Sequence, residues 1–393
     1  GITRLSFTEE DRRARELFGR WCGEAGLNVR TDAAGNLIAR LEGARPGAPA
    51  IAAGSHLDTV PRGGAFDGAL GCVGALECAQ SLAAEGRRLA HPFEVVVFAE
   101  EEGTRFGSGL LGSRAMAGLL GLPELEHSRD REGISAAQAM ERFGLQPQRL
   151  GSAARRPGEL AAYLELHVEQ GPLLENAGVG IGVVTEVVGI WRYTLRLLGQ
   201  ANHAGTTRLP MRRDALLAAA RVIVAARRLT AERGAEASVA TVGQIAVEPG
   251  AVNVVPGRAE LALEIRDADE ARLSAIAGAI LAEAACIAGE ERVELEVQEG
   301  ARIAPVPMHA AAWRAVRRAA EQLDITTLEM PSGAGHDAQS MARLCPAGMI
   351  FVPSAGGLSH CPAEFTPWEQ AETGVRVLER TLCILDQRGI DER

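Results

Sequence analysis

Four apolar segments, each typical of a buried strand, end in histidine or glutamate side chains. They are APAIAAGSH, ending at His56, FEVVVFAEEEG, ending at Glu100 to Glu102, AAYLELHVEQG, which contains His167, and MIFVPSAGGLSH, ending at His360. Helix-like segments such as DGALGCVGALECAQSLAAEG and DAQSMARL alternate with them. This alternation predicts an α/β fold with an at least partly parallel sheet. Because ligands of such sheets bind beyond the carboxyl ends of the strands, we expect these side chains at one edge.

The segment 183–299 has a different order of elements. Its patterns read βαββαβ from GIWRYTLRLLG to RVELEVQEG, which is the ferredoxin-like split unit. A chain of 393 residues is also too long for one ordinary core. We therefore predict a mixed-sheet domain formed by residues 1–182 and 300–393, with a smaller domain of residues 183–299 inserted in it.

Composition and charge exclude several functional classes. The formal net charge is −10 and no basic face is apparent, so no nucleic-acid partner is expected. All 41 basic residues are arginine, which excludes Schiff-base chemistry and a P-loop lysine. The seven cysteines show no CxxC spacing and are predicted to be reduced. We find neither an apolar run of ~18 residues nor a secretory signal pattern, so we expect no membrane partner and a cytoplasmic location.

The loop GSHLDTVPRGGAFDGALG is rich in glycine and carries three polar side chains suited to chemistry. Asp58 follows His56 by two residues and is expected to accept a ring N–H, as carboxylates commonly do for metal-bound imidazoles. Asp67 either caps the following helix or bridges cations. Most histidines near strand ends are structural and are held by backbone hydrogen bonds. We assign that role to His91, His127 and His309.

The run Glu100-Glu101-Glu102 raises a second question, because charge runs at strand ends are usually solvated. Three adjacent carboxylates repel one another unless cations or protons compensate their charge. A two-metal hydrolytic site needs one carboxylate as a ligand and another to take a proton from water. Histidine and carboxylate ligands of this kind suit zinc, manganese, cobalt or nickel. We therefore expect the adjacent glutamates to divide these tasks.

Long segments of the chain resemble one known family. They are GSHLDTV, GGAFDGALG, EEEGTRFG, LELHVEQGP, GQANHAGTTRLPMRRDA, NVVPG, EIRD, SGAGHDA and GGLSHCPAE. In this order they are similar to the family of N-carbamoyl-L-amino-acid amidohydrolases, β-ureidopropionases and allantoate amidohydrolases, within the dinuclear metallopeptidases and aminoacylases. The resemblance implies a dinuclear metallohydrolase domain holding two divalent ions (Zn, Mn, Co or Ni). It also implies that the inserted domain is a lid that forms a homodimer.

The resemblance further implies a role for each matching residue in the larger domain. The metal ligands are a bridging Asp67, His56 and His167 on one metal, and Glu102 and His360 on the other. Glu101 is the general base, Asp58 supports catalysis, and Glu100 is a bystander.

For substrate binding, the resemblance implies residues from both domains. His203 in the lid would reach the active site of the partner subunit and stabilise the oxyanion. Asn253 and Arg266 would hold the substrate carboxylate, and Gln170 would line the same pocket. The expected reaction is hydrolysis of the ureido C–N bond of an N-carbamoyl-L-amino acid, giving the amino acid, ammonia and carbon dioxide.

Several alternatives stay open at this point. Allantoate and N-carbamoyl-β-alanine also carry a ureido group and a carboxylate, and a dipeptidase or aminoacylase could use the same metals. Gly68, Gly71 and Gly74 could suggest dinucleotide binding, but their GxxGxxG spacing departs from GxGxxG and no strand precedes them. A non-catalytic metal-binding protein is disfavoured because Glu101 accompanies every candidate ligand.

Overall fold

The computed structural model describes residues 1–388, and the chain forms two compact units. Unit 1 contains Gly1–Thr185 and the chain from Pro307 onward, and unit 2 contains Glu186–Val306. The predicted boundaries after residues 182 and 299 fall inside strands, because sheet pairing continues past both positions. The backbone N–H of Met308 donates to the carbonyl of Thr185 at 2.9 Å, so the chain leaves and re-enters unit 1 at neighbouring points.

The strands, in chain order, are β1 (Asn28–Thr31), β2 (Leu37–Leu41), β3 (Ala50–His56), β4 (Phe93–Phe98), β5 (Leu160–Val168), β6 (Ile181–Val187), β7 (Gly189–Leu198), β8 (Asn202–His203), β9 (Val239–Glu248), β10 (Val254–Val255), β11 (Arg258–Asp267), β12 (Glu294–Ile303), β13 (Val306–Pro307), β14 (Thr327–Ser332) and β15 (Ala347–Val352). The helices are α1 (Glu9–Glu24), α2 (Ala69–Ala84), α3 (Leu111–Met116), α4 (Leu122–His127), α5 (Ala136–Phe143), α6 (Leu173–Ala177), α7 (Ala215–Arg233), α8 (Glu270–Glu291), α9 (Ala310–Gln322), α10 (Asp337–Met341) and α11 (Trp368–Arg388).

The sheet of unit 1 mixes parallel and antiparallel strands. Its order is β1-β2-β4-β3-β5-β15-β6-β13, and β14 also pairs with β6. The central strands β4, β3, β5 and β15 are parallel neighbours, whereas β1, β2 and β6 pair antiparallel. The mixed α/β sheet is confirmed, and the carboxyl ends of its four central strands lie at one edge, as predicted.

The central strands are continuous apolar runs because side chains on both of their faces are buried. Every residue of β3, β4 and β15 is buried. Helices α1, α2, α9 and α11 contribute to the same core, with side chains such as Phe18, Leu82, Val316 and Leu378. Each such side chain contributes ~1.5–3 kcal/mol by leaving water, and the core thereby fixes where the strand ends lie.

Unit 2 is built on a four-stranded antiparallel sheet in the order β12-β7-β11-β9. Helices α7 and α8 bury their apolar faces against it, as Leu273, Ile276 and Ile280 illustrate. Apart from the two-residue strands β8 and β10, which pair with each other, the order of elements is the predicted βαββαβ. Helix α8 is long and apolar enough to cross a membrane by length and composition alone, but its buried side chains belong to this core.

Other elements were not predicted. Helices α3 and α4 have six residues each and α5 has eight, so each is shorter than the window of 11–18 residues in which an apolar period predicts a helix. Strand β1 is exposed along its length and pairs only with β2, so its sequence NVRT lacks the apolar pattern of a core strand. All seven cysteines lie in the described part of the chain and are free thiols, as predicted.

Candidate dinuclear metal site

The carboxylate of Asp67 lies at the centre of a cluster of imidazole nitrogens. Its Oδ1 is 3.5 Å from Nε2 of His56 and 3.2 Å from Nε2 of His167. Its Oδ2 is 3.1 Å from Nε2 of His360, which in turn lies 3.6 Å from Oε2 of Glu102. Two ligand groups therefore share Asp67: a first group with His56 and His167, and a second group with Glu102 and His360.

The sheet explains how ligands from distant parts of the chain meet. His56 is the last residue of β3, and His167 is the last residue but one of β5. Glu102 follows β4 and His360 follows β15. These four strands are parallel neighbours, so the structure brings together all five side chains proposed as ligands from sequence.

The imidazoles of the first group are oriented by backbone carbonyls. Nδ1 of His56 lies 2.9 Å from the carbonyl oxygen of Asp58, and Nδ1 of His167 lies 2.9 Å from that of Val168. A carbonyl only accepts hydrogen bonds, so each Nδ1 carries the proton and Nε2 faces Asp67. Two such nitrogens beside a carboxylate oxygen form a donor set that fits a divalent ion such as zinc, manganese, cobalt or nickel.

The cluster concentrates negative charge in a buried place. Burial opposes the charged form of His56, but the carboxylates of Glu101 and Asp67 hold the pKa of this imidazole well above its usual value. Burial also acts to raise the pKa of Asp67, but hydrogen bonds from the three imidazoles hold it well below its usual value. The site is therefore suited to cations, which would offset this charge.

The run Glu100 to Glu102 is not a solvated charge run. The side chains of Glu101 and Glu102 are only 9% and 7% exposed, and Glu100 is fully buried. Burial, opposed in part by His56, raises the pKa of Glu101 well above its usual value. Burial likewise raises the pKa of Glu102 to about 7. Oε2 of Glu101 lies 3.6 Å from Nε2 of His56, which places this carboxylate at the edge of the first ligand group.

Glu100, predicted to be a bystander, has a structural role instead. Its carboxylate accepts the backbone N–H groups of Arg105 and Phe106, both at 3.3 Å. Burial, followed by the charge of Asp58, raises its pKa to about 8. Glu100 therefore stabilises the turn that follows the two reactive glutamates.

We predicted that the carboxylate of Asp58 accepts the ring N–H of His56, and this prediction is wrong. Oδ1 of Asp58 lies 3.8 Å from Nδ1 of His56, too far for a hydrogen bond, and the backbone carbonyl of Asp58 takes that N–H instead. The Asp58 carboxylate accepts the backbone N–H groups of Glu101 and Glu102, at 3.3 and 3.2 Å. Asp58 therefore supports the site by holding the glutamate turn.

Asp67 does not cap helix α2, which leaves the metal-bridging alternative. The N-cap residue is Gly68, and no side chain bonds the first turn there. Gly68 has a φ of 63°, and a Cβ at this position would lie 2.5 Å from Nε2 of His56. Only glycine lets the backbone pass this close to the imidazole, which is one reason for the glycines of this loop.

Gln170, which we predicted to line the substrate pocket, contacts the cluster of metal ligands. Its Nε2 donates to Oδ2 of Asp67 at 2.9 Å and lies 3.2 Å from Nε2 of His360. Its backbone N–H donates to the hydroxyl of Ser354 at 3.1 Å. The amide is therefore held beside the second ligand group.

In unit 2, His203 and Asn253 are neighbours. Strands β8 and β10 pair His203 with Val254, and the carbonyl of Asn253 accepts the N–H of Ala204 at 2.9 Å. Nδ1 of the exposed His203 accepts two backbone N–H groups, from Gly205 at 3.0 Å and its neighbour at 3.2 Å. The proton of the neutral ring is therefore on Nε2, which can donate.

Arg266 lies at the other end of the sheet of unit 2, so the expected pairing of Arg266 with Asn253 in one clamp does not hold within one chain. Strand β11 pairs Arg258 with Leu198, close to the segment of His203, but Arg266 with Ile190. At ~3.3 Å per residue the two ends of β11 are roughly 26 Å apart. The half-buried guanidinium of Arg266 contacts Oε1 of Glu264 at 2.7 Å.

Sequence reasoning did not single out His336, although it lies against the site. Its ring is edge-on to the ring of His167, with 4.5 Å between centroids, and its Nε2 lies 2.9 Å from the hydroxyl of Ser332. Burial, together with the charge of His167, holds its pKa well below its usual value. Glu165, His167 and His336 could geometrically form a further ligand group. Both ring nitrogens of His167 are already engaged, however, which argues against a third ion there.

A buried glutamate, Glu364, was also missed. It accepts two backbone N–H groups of the loop that carries Asp67. His336 lies in SGAGHDA and Glu364 lies in GGLSHCPAE. Both segments carry the family resemblance, so they were the signals from which these two residues could have been identified.

The remaining histidines are structural, as predicted. Nδ1 of His91 and Nδ1 of His127 lie 2.8 and 2.6 Å from backbone carbonyl oxygens. Nδ1 of His309 accepts a backbone N–H at 3.2 Å and caps α9.

Known proteins resemble this chain over nearly its full length. Residues 52–383 match the family model Peptidase family M20/M25/M40. The chain is 46% identical over 387 residues to an N-carbamoyl-L-amino acid amidohydrolase of Geobacillus stearothermophilus, covering 98% of this chain and 94% of that protein. It is 37% identical over 378 residues to an allantoate amidohydrolase of Bacillus subtilis, covering 96% and 91%. A solved amidase of the hydantoinase/carbamoylase family from Burkholderia multivorans matches with a TM-score of 0.91 and 38% identity, covering 97% of this chain and 92% of that one.

Proposed function

Since the chain belongs to Peptidase family M20/M25/M40, and the resemblance inferred from its motifs is thereby confirmed, we propose that it is a metal-dependent amidohydrolase. Its substrate would be an N-carbamoyl-L-amino acid, cleaved at the ureido C–N bond. The observation that carries this proposal is the pair of ligand groups around Asp67, with the buried carboxylate of Glu101 beside them. Reduced cysteines fit a cytoplasmic enzyme.

The chemistry requires a strong activating centre because two nitrogens deactivate a ureido carbonyl. When bound, two divalent ions would polarise that carbonyl and lower the pKa of the attacking water. Glu101 would accept the water proton as a general base and return it to the departing nitrogen as a general acid. One water is consumed for each ureido group, and the products are the amino acid, ammonia and carbon dioxide.

The donor that meets the developing oxyanion would be His203. Its Nδ1 accepts backbone N–H groups, so its Nε2–H is available to donate. A preorganised donor of this kind is typically worth ~3 kcal/mol in the transition state. Arg266 would bind the substrate carboxylate, because a guanidinium can grip both oxygens at once. Gln170 would line the pocket from the metal cluster.

The separation between Arg266 and the pair His203 and Asn253 supports a homodimer. A small ureido substrate cannot span roughly 26 Å along one β11, so one unit 2 cannot supply all three groups to one site. We infer that His203 and Asn253 act on the site of a second copy of the chain. Each site would then be completed by its partner.

The test is ammonia release from a substrate panel by the metal-loaded protein, with Glu101→Gln as the matched inactive control. Turnover should be highest for an N-carbamoyl-L-amino acid. Preference for allantoate or N-carbamoyl-β-alanine would replace the proposed substrate but keep the reaction class. Turnover of dipeptides or N-acyl amino acids alone, with none on ureido compounds, would overturn the proposal.

A further inference from the structure

Glu364 joins the two loops that carry the bridging aspartate and the histidine of the second ligand group. Its Oε1 accepts the backbone N–H groups of Phe66 at 3.0 Å and Asp67 at 2.9 Å. Its Oε2 accepts the hydroxyl of Ser359, the residue before His360, at 2.7 Å. We propose that Glu364 is a positioning residue that holds Asp67 and His360 in register for the second ion. This inference rests on the proposed dinuclear site.

The carboxylate is built into this place. Glu364 is only 5% exposed, and its two oxygens receive three hydrogen bonds that connect segments far apart in sequence. Hydrogen bonds to an ionised carboxylate are roughly twice as strong as neutral ones. The side chain therefore fixes the relative position of two loops that no strand pairing connects directly.

Glycine at position 64 makes room for this carboxylate. A Cβ on Gly64 would lie 2.1 Å from Oε1 of Glu364 and 2.4 Å from its Cβ. Any larger residue would push Glu364 out of its place under the loop. The loop therefore accommodates Glu364 in two ways: its backbone N–H groups bond the carboxylate, and its glycine at position 64 leaves space for it.

The hydroxyl of Ser359 explains why the charge of Glu364 matters as well as its shape. The Ser359 Oγ lies 2.7 Å from Glu364 but 3.3 Å from Oδ2 of Asp67, so its single proton goes to Glu364. Oδ2 of Asp67 accepts the amide N–H of Gln170 and, because the Ser359 proton is directed to Glu364, keeps its second lone pair for an ion. A glutamine at 364 could donate to Ser359, which would free the hydroxyl to bond Asp67 and compete with the ion.

The two histidines of the first ligand group do not depend on the contacts of Glu364. His56 and His167 lie at the ends of sheet strands, and backbone carbonyls orient their rings. His360 instead lies in a loop, with a φ of 56° and a side chain that is 49% exposed. Loss of Glu364, which holds the shared Asp67 as well as the loop of His360, should therefore weaken the second ion much more than the first.

The experiment is titration of metal-free protein with Mn²⁺, followed by calorimetry, and with Co²⁺, followed by visible absorption. Wild type should bind two ions per chain. Glu364→Gln should bind the first ion within ~3-fold of wild type and the second ~10–100-fold more weakly, the scale typical for groups that orient metal ligands. Gly64→Ala, which leaves the carboxylate intact but displaces it, should show the same split.

Asp386→Asn is the matched control. Asp386 of α11 also accepts two successive backbone N–H groups, of Ala90 at 3.0 Å and His91 at 2.8 Å, but these two residues precede β4, at the opposite end of that strand from Glu102. This variant should bind both ions as wild type does, even if its melting temperature falls.

Three outcomes would overturn the inference. Wild-type affinity for the second ion in Glu364→Gln would show that the residue does not position that group. Equal weakening of both ions would assign it to general stability. Fewer than two ions in wild type itself would defeat the dinuclear proposal and this inference with it, which separates the two failures.

Discussion

The carboxylate of Asp58 accepts the backbone N–H of Glu102 at 3.2 Å. It also accepts the N–H of Glu101, so one buried side chain sets the turn in which the two adjacent glutamates take different directions. Glu101 lies near His56 of the first ligand group, and Glu102 lies near His360 of the second. Two neighbours in sequence can therefore have different tasks.

The first prediction concerns this division. Glu101→Gln should keep both metal ions but lose ~10²–10⁴-fold in kcat, because the amide cannot accept the water proton. Glu102→Gln should lose affinity for the second ion as well. Elemental analysis together with ammonia release checks both. Turnover near wild type in Glu101→Gln would mean that another residue is the base.

The second prediction concerns the ions. Dialysis against a chelator should abolish hydrolysis, and Zn²⁺, Mn²⁺, Co²⁺ or Ni²⁺ should restore it. Binding should be weaker at pH 6 than at pH 8, because the pKa of the imidazole of His56 is raised and its proton must leave before an ion binds. Full activity in protein shown to be metal-free would contradict the dinuclear site.

The third prediction concerns Arg266 of unit 2. Arg266→Ala should lower kcat/KM on carboxylate-bearing ureido compounds by a factor of about 100, the usual scale for a charge-assisted contact. The loss should be much smaller on a substrate whose carboxylate is amidated. The control is Arg192→Ala, since Arg192 contacts the other oxygen of Glu264 at 2.6 Å, and this variant should stay near wild type. Equal losses on both substrates would mean that Arg266 supports the structure of unit 2 and does not bind the substrate carboxylate.

The fourth prediction tests sharing of sites between two copies. Co-expression of Glu101→Gln with His203→Ala should restore about a quarter of wild-type activity, because half the dimers are mixed and each has one intact site. Co-expression of Glu101→Gln with Glu102→Gln should restore none, since both lesions fall in the same chain's site. Equal activity of the two mixtures would place His203 in the site of its own chain.

The fifth prediction concerns pH and the buried Glu100. Its pKa is about 8 in the folded protein, whereas that of an unfolded chain is ~4.3, so the folded state keeps a proton that the unfolded state has lost. The free energy of unfolding should therefore fall as pH rises through this window. Glu100→Gln, which cannot ionise, should be more stable than wild type by ~1 kcal/mol or more at pH 8.5 and should lose this advantage near pH 4.5.

Urea unfolding of both metal-free proteins at the two pH values checks this prediction. An advantage of the same size at both would mean that Glu100 ionises normally in the folded state.

The ligands of the first and second groups could be predicted because strand ends are strong signals. Once β3, β4, β5 and β15 are recognised as neighbours, topology alone places His56, Glu102, His167 and His360 at one edge. The spacing of residues in the sequence did not predict which atoms form each hydrogen bond. It placed Asp58 near His56, but it could not show that the backbone carbonyl, and not the carboxylate, accepts the ring N–H.

The residues that were missed depend on contacts that no local pattern encodes. Strand β14 lies off the main path of the sheet and is only partly buried, so the loop that brings His336 to the site had no recognised strand before it. Glu364 meets Asp67 across 297 positions of the sequence. The distance between Arg266 and Asn253 follows from the register of β11, which its pairing with β7 and β9 defines.

The hydrogen bond between Thr185 and Met308 has a further consequence for how this architecture can vary. The whole of unit 2 is inserted between two points of unit 1 that lie side by side, as a single loop between two neighbouring strands would be. The entropy cost of closing such a loop grows by only ~0.6 kcal/mol for each doubling of its length. A module of almost any size can therefore be exchanged at this junction without rethreading the strands. Under the proposed roles, His203, Asn253 and Arg266 can be exchanged together with unit 2, while the sheet that carries the metal ligands stays unchanged.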